Sequence, residues 1–128
     1  MIEDNVLDGV DYVFGAHLAS DLPLGQVAVG EGFTSAAVDK FEITIKGKGG
    51  HGARPHETID SIVIGSEVIN ALQKIVSRQV NPLQSAVVTV GVFQAGNAFN
   101  VIAENAKIEG TVRTLSKELS VHLMRRLE

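Results

Sequence analysis

From Asp39 the chain alternates without interruption, with Phe41, Ile43 and Ile45 on one side and Lys40, Glu42, Thr44 and Lys46 on the other. A period of two is the pattern of a strand with one buried and one wet face. The run stops at Gly47-Lys48-Gly49-Gly50-His51-Gly52-Ala53-Arg54-Pro55-His56, where four glycines fall within six residues. Glycine allows positive φ and close backbone approach, and histidine can change charge near neutral pH. Such a segment is either a binding loop or a connector, and the next element has to pack on the strand before it.

That next element is helical. Asp60 is placed to cap free N–H groups. Behind it Ile62, Val63, Ile69, Leu72, Ile75 and Val76 recur at three- and four-residue spacing to about Arg78, and Asn81-Pro82 ends any continuation. Residues 86–94 form a valine-rich strand with both faces largely apolar. The turn Ala95-Gly96-Asn97-Ala98-Phe99-Asn100 comes next. Residues 106–114 alternate again, with Ile108 and Val112 opposite Lys107, Glu109, Thr111 and Arg113. Ser116 can cap a last helix striped by Leu119, Leu123 and Leu127. Strand, helix, strand, strand, helix is an α+β order with an antiparallel sheet, one strand short of the ferredoxin-like unit. Upstream, residues 1–8 read as the end of a helix stopped by Gly9, residues 10–17 as a short buried strand ending at His17, and residues 26–29 as a second short strand.

Composition narrows the classes. A formal charge of −4 without a basic cluster argues against nucleic acid. No run of about 18 apolar residues is present, so no transmembrane helix is expected, and no signal peptide is visible. Without cysteine there are no disulfides or thiolate metal sites. Hydrophobic residues make up 45% and the 13 glycines add about a tenth more, above the roughly 45–50% usual for soluble domains. A chain of this kind is expected to cover some apolar surface with something outside itself.

Gly47-x-Gly49-x-x-Gly52 matches the dinucleotide fingerprint literally, but in that fingerprint the glycines open a helix whose N-terminus holds the pyrophosphate. Here Arg54-Pro55 intervenes and the helix begins near Asp60, too late to serve; no Gly-Lys-Ser/Thr makes a P-loop. Taken singly, the other polar residues have ordinary readings. His51, between two glycines, is a solvated loop histidine or a ligand-reaching one. His56 is not at helical metal-pair spacing and reads as a turn residue, and His122 lies on a wet helix face. His17 ends an apolar strand, where sites of α/β folds gather, yet alone it is better explained as structural than as a ligand. Asn100 reads as a turn residue and Arg113 as a solvated strand residue.

Taken together, four segments stand in one order: Phe14-Gly15-Ala16-His17 with Pro23-x-Gly25, Gly47-Lys48-Gly49-Gly50-His51-Gly52-Ala53-x-Pro55-His56, Gly96-Asn97-Ala98-Phe99-Asn100-Val101-Ile102, and Gly110-Thr111-Val112-Arg113-Thr114. In this the chain resembles the M20 metallopeptidase/amidohydrolase family, and is most similar to its N-acyl-L-amino-acid amidohydrolase, hippurate hydrolase and auxin-conjugate hydrolase branch.

The resemblance implies two domains: residues 1–35 as the end of an α/β catalytic domain and residues 36–128 as a ferredoxin-like lid that mediates homodimerisation, truncated before its last strand. It implies metal-assisted hydrolysis of N-acyl amino acids or small peptide-like substrates by a cytoplasmic enzyme holding two divalent ions, zinc or manganese. His17 matches a metal ligand of that family. His51 matches a lid histidine that enters the partner subunit's site and contacts the scissile carbonyl, and Asn100 and Arg113 match lid residues that bind substrate polar groups and the free carboxylate. The other metal ligands and the general-base glutamate have no counterpart in these residues. The chain alone is therefore expected to be inactive, to hold no metal tightly and to self-associate through the open edge of its first strand. The competing reading is a non-enzymatic dimerisation or binding module of the same fold.

Overall fold

The alternation over residues 39–46 does become a strand, and its apolar side is the surface on which the rest of the second half packs. The computed structural model describes residues 3–32 and 35–127. It divides into two units, Met1–Glu31 and Gly32–Glu128. The larger unit contains β1 (Ala37–Lys46), β2 (Gly50–His51), a 3-10 turn over Pro55–Glu57, α1 (Ser61–Gln79), β3 (Ala86–Ala95), β4 (Val101–Ile102), β5 (Asn105–Thr114) and α2 (Lys117–Leu127).

The main sheet has the order β1-β5-β3, with β5 antiparallel to both neighbours. Both helices pack an apolar stripe on one face, although Ile62 and Val63 of the stripe expected for α1 are 41% and 58% exposed. Phe41 and Ile45 of β1, Val88 of β3, and Ala106, Ile108 and Val112 of β5 form one core with Leu72 and Ile75 of α1 and Leu119 and Leu123 of α2. Ile108, Val112 and Leu123 are fully inaccessible, and burial of an aliphatic side chain of this size contributes roughly 1.5–3 kcal/mol. This is the expected α+β arrangement, and the outer edge of β1 has no strand beside it in the sheet order.

The caps are where the sequence put them. Asp60 Oδ1 accepts from the backbone N–H groups of Ile62 and Val63 at 2.9 and 3.2 Å, and Ser116 Oγ accepts from Leu119 N–H at 3.2 Å. His122 is exposed on α2.

The valine-rich strand differs from expectation. Its register with β5 slips between Val90 and Val92. Val88 and Val90 stand opposite Val112 and Gly110, but beyond the bulge Phe93 stands opposite Ile108. A bulge inserts one residue and reverses the side-chain parity. Val88, Val90 and Phe93 therefore share the core side, while Val87, Thr89 and Val92 pair with the open-face residues Arg113, Thr111 and Glu109. Both faces do carry apolar residues, as the sequence suggested; the bulge decides which of them belong to the core side.

The smaller unit contains turns and extended chain. Of the expected helix end at residues 1–8, Met1 and Ile2 lie outside the described residues, and the remainder forms turns up to Gly9, whose φ is +75°. Neither expected strand, at residues 10–17 or 26–29, is present. A strand needs a neighbour to take its N–H and C=O groups, and among the described residues of this unit there is none. Tyr12, Phe14 and Leu18 are accordingly exposed. No helix of the described residues is long and apolar enough to cross a membrane.

Candidate functional site

The glycine-rich segment is neither a free loop nor a phosphate cradle. Immediately after β1, Gly47 N–H donates to Glu104 O at 2.7 Å, and Lys48 and Ile59 exchange backbone bonds at 2.9 and 3.0 Å. β2 then pairs antiparallel with β4, Gly50 opposite Ile102 and His51 opposite Val101. Gly52 N–H donates to Asn100 O at 2.9 Å. A two-stranded ribbon thus leaves the Lys46–Asn105 end of the main sheet with His51 on one strand and Asn100 at the start of the other.

The glycines serve this ribbon by close approach. None of Gly47, Gly49, Gly50 and Gly52 has positive φ, so the left-handed conformation that motivates glycine in many loops is not the reason here. A methyl group on Gly47 would collide with Ile59 O, and one on Gly52 would lie 2.9 Å from Asn100 O. The expectation of glycine at positive φ is therefore corrected to glycine where two backbones touch.

His51 is exposed, and its Nδ1 lies 3.1 Å from Ala53 N–H. Its own carbonyl accepts from Arg54 N–H at 2.8 Å, which closes the turn. His56 sits in the 3-10 turn, exposed, with Nε2 3.6 Å from Glu57. The ribbon is tied to α1 by Ser61, a fully buried hydroxyl that donates to Ala103 O at 2.8 Å. Ser61 was not among the residues singled out from the sequence. Its signal was a small hydroxyl directly after an N-cap aspartate at the mouth of an apolar helix.

Arg113 stands elsewhere. It lies eight residues beyond Asn105 along β5, a rise of roughly 27 Å at about 3.4 Å per residue. It is exposed on the open face between Val38 and Val87, which are 51% and 50% exposed. Between the two ends, that face carries an ion-pair network. Lys107 contacts Glu109 at 2.7 Å and Glu42 at 3.1 Å, and Lys40 contacts Glu109 at 2.7 Å. Hydrogen bonds from Lys107 and Lys40 lower the Glu109 carboxyl to about 2, and the same carboxylates raise Lys107. Those charges satisfy one another, whereas Arg113 takes part in no ion pair among the described residues. Of the three lid residues inferred from the sequence, His51 and Asn100 are brought together and Arg113 is held apart.

His17 belongs to the smaller unit. It is exposed, on extended chain rather than at the end of a strand, with Nδ1 2.7 Å from Leu18 O. No group of three His, Cys, Asp or Glu side chains among the described residues converges to hold a metal ion. The residues present do not fit a two-metal centre; His17 is at most one ligand of it.

Residues 37–128 match the M20 peptidase dimerisation domain. The chain is 50% identical over 119 residues to the N-acyl-L-amino acid amidohydrolase of Geobacillus stearothermophilus, covering 93% of this chain and 32% of the relative. Among solved structures, a protein of methicillin-resistant Staphylococcus aureus superposes with a TM-score of 0.81 at 40% identity, over 98% of this chain and 34% of the other. The Bacillus subtilis YXEP protein, a dinuclear metal binding peptidase from the M20 family, superposes with a TM-score of 0.64 at 39% identity, over 98% and 30%. The chain spans about a third of the length of the curated relatives it matches. On a match covering the whole of the β1-to-α2 unit, the chain belongs to the M20 peptidase dimerisation-domain family.

Proposed function

We propose that the chain is the dimerisation part of a larger cytoplasmic amidohydrolase that cleaves the amide bond of N-acyl-L-amino acids, and that it completes a partner subunit's active site. The observation that carries this is the pinning of His51, on β2, beside Asn100, the residue that leads into β4, on one exposed ribbon. Hydrogen-bond donors on a fixed backbone suit a carbonyl oxygen that gains charge during hydrolysis, because they need no reorganisation as the charge develops. Arg113, a planar fork with no ionic partner among the described residues, suits the free carboxylate of the amino acid.

One small substrate does not bridge the roughly 27 Å between Arg113 and the Asn105 end of β5. On this reading the two ends of one chain serve different active sites. In a twofold dimer each site draws His51 and Asn100 from one subunit and Arg113 from the other. The reaction's two divalent ions, zinc or manganese, would polarise the carbonyl and activate water. Of this chain's residues only His17 is offered to them, so residues 1–35 act as the edge of a catalytic domain completed by other residues, residues 36–128 act as the lid, and the chain alone is inactive and holds no metal tightly.

The test is co-expression of His51→Ala and Arg113→Ala forms of the full-length enzyme. Each homodimer has two defective sites. A heterodimer has one site with both defects and one with neither, so random assortment restores about a quarter of wild-type hydrolysis. No restoration would mean that each site takes both residues from the same subunit, and a full-length protein without amidase activity would end the proposal.

A further inference from the structure

We infer that the backbone amide of Ala53 fixes the tautomer of His51, holding its proton on Nε2 so that the exposed side of the ring is a neutral hydrogen-bond donor. The Ala53 N–H group lies 3.1 Å from His51 Nδ1. An amide N–H can only donate, so Nδ1 has to present its lone pair, and a neutral imidazole then carries its single proton on the other nitrogen. The flanking amides are committed elsewhere, Gly52 N–H to Asn100 O at 2.9 Å and Arg54 N–H to His51 O at 2.8 Å. Ala53 N–H is left at the apex of the turn with the imidazole as its acceptor. Pairing of β2 with β4 fixes the backbone on which the turn stands.

The consequence rests on the amidohydrolase reading. With the proton on Nε2, His51 offers a donor to a carbonyl oxygen and to the oxyanion it becomes. With the proton on Nδ1, it would offer that oxygen a lone pair, and the two would repel. Ala53 is therefore a positioning residue that acts through its main chain. In the same neutral state Nε2 has no lone pair with which to take a proton, which gives His51 the part of a donor rather than a general base. Any side chain at position 53 preserves the arrangement except proline, which has no N–H.

The experiment reads the tautomer directly in the 128-residue chain with 15N-labelled histidine. Long-range 1H–15N correlations are recorded above neutral pH, and His51 is assigned by its loss in His51→Gln. The expected result is a protonated Nε2 and an unprotonated Nδ1 in the His51 ring, kept in Ala53→Gly and replaced by averaged tautomers in Ala53→Pro. A protonated Nδ1, or averaging in the unmodified chain, overturns the inference, and the unmodified chain decides this even where the proline variant does not fold. The spectrum is independent of turnover. An Nε2-protonated ring in this chain, together with a full-length protein that hydrolyses no amide, would remove the amidohydrolase reading and leave the tautomer standing.

Discussion

Gly110→Ala should be among the most damaging single-methyl changes in this chain, and the reason is the central strand. Gly110 stands opposite Phe41 on β1 and Val90 on β3. An added Cβ would lie 2.6 Å from Phe41 Cε1 and closer still to Phe41 Cζ and Thr89 O. The ring can swing away, but Phe41 is a core side chain only 7% exposed, and pushing it toward water costs about 1.5–3 kcal/mol. The carbonyl cannot swing away. It belongs to the β3 backbone, and moving it weakens a ladder bond worth a net of about 0.5–1.5 kcal/mol. Alanine restricts the unfolded chain and returns roughly 0.4–1 kcal/mol. The balance is a loss of about 2–3 kcal/mol.

For a domain of this size each kcal/mol shifts Tm by roughly 4–8 °C, so circular-dichroism melts should show a fall on the order of 10–20 °C. Gly91→Ala is the internal control. It sits at the bulge with no atom within 4 Å of a built Cβ and without positive φ, and it should leave Tm unchanged or slightly raised. Adding Phe41→Leu to Gly110→Ala should recover part of the loss, because it relieves the ring clash but not the carbonyl clash. A Gly110→Ala protein melting within about 3 °C of wild type would refute the reasoning.

Asp60→Ala removes the acceptor for two helix N–H groups and should cost about 1 kcal/mol, read as a Tm drop of roughly 4–8 °C, with Asp60→Asn close to wild type. Glu109 has a folded-state carboxyl at about 2 against an ordinary 4.5. Its contribution is present above pH 4.5 and lost as the pH falls through about 2, so Glu109→Gln should melt below wild type at neutrality, converge with it as the pH falls through that window, and so flatten the acid side of a Tm–pH profile. Gly52→Ala puts a methyl 2.9 Å from Asn100 O. It should raise amide exchange of the β2–β4 ribbon by about tenfold, the equivalent of roughly 1.4 kcal/mol, while amides of β5 keep their protection.

Periodicity carried the larger unit because its elements are amphipathic in isolation. β1, β5, α1 and α2 each bury one stripe, and each was readable apart from the first turn of α1, where Ile62 and Val63 are exposed. β3 was not, because a bulge at Gly91 breaks the period on which the reading depends. Residues 10–17 failed for a different reason. Their apolar content suits a buried strand, yet burial needs a neighbouring strand, and sequence content does not supply one.

The glycine-rich segment shows the same limit for the site. Its composition says only that backbone comes close to something. The structure answers that for Gly47, Gly49 and Gly52 the something is the chain's own residues 100–104 and Ile59, and for Gly50 the Thr58 methyl, and this makes the glycines the means of holding His51 beside Asn100. The separation of Arg113 from that pair is invisible in sequence for a related reason. Asn100 and Arg113 are thirteen residues apart in the chain, a spacing that a hairpin would fold into contact and an extended strand carries to opposite ends. Only the pairing of β5 along its whole length with both β1 and β3 selects the second case. A strand held on both sides cannot bend back, so the distance between Asn100 and Arg113 is fixed by the same hydrogen bonds that hold the core. Under the proposed function, the need for a second subunit is a property of the sheet rather than of either residue alone.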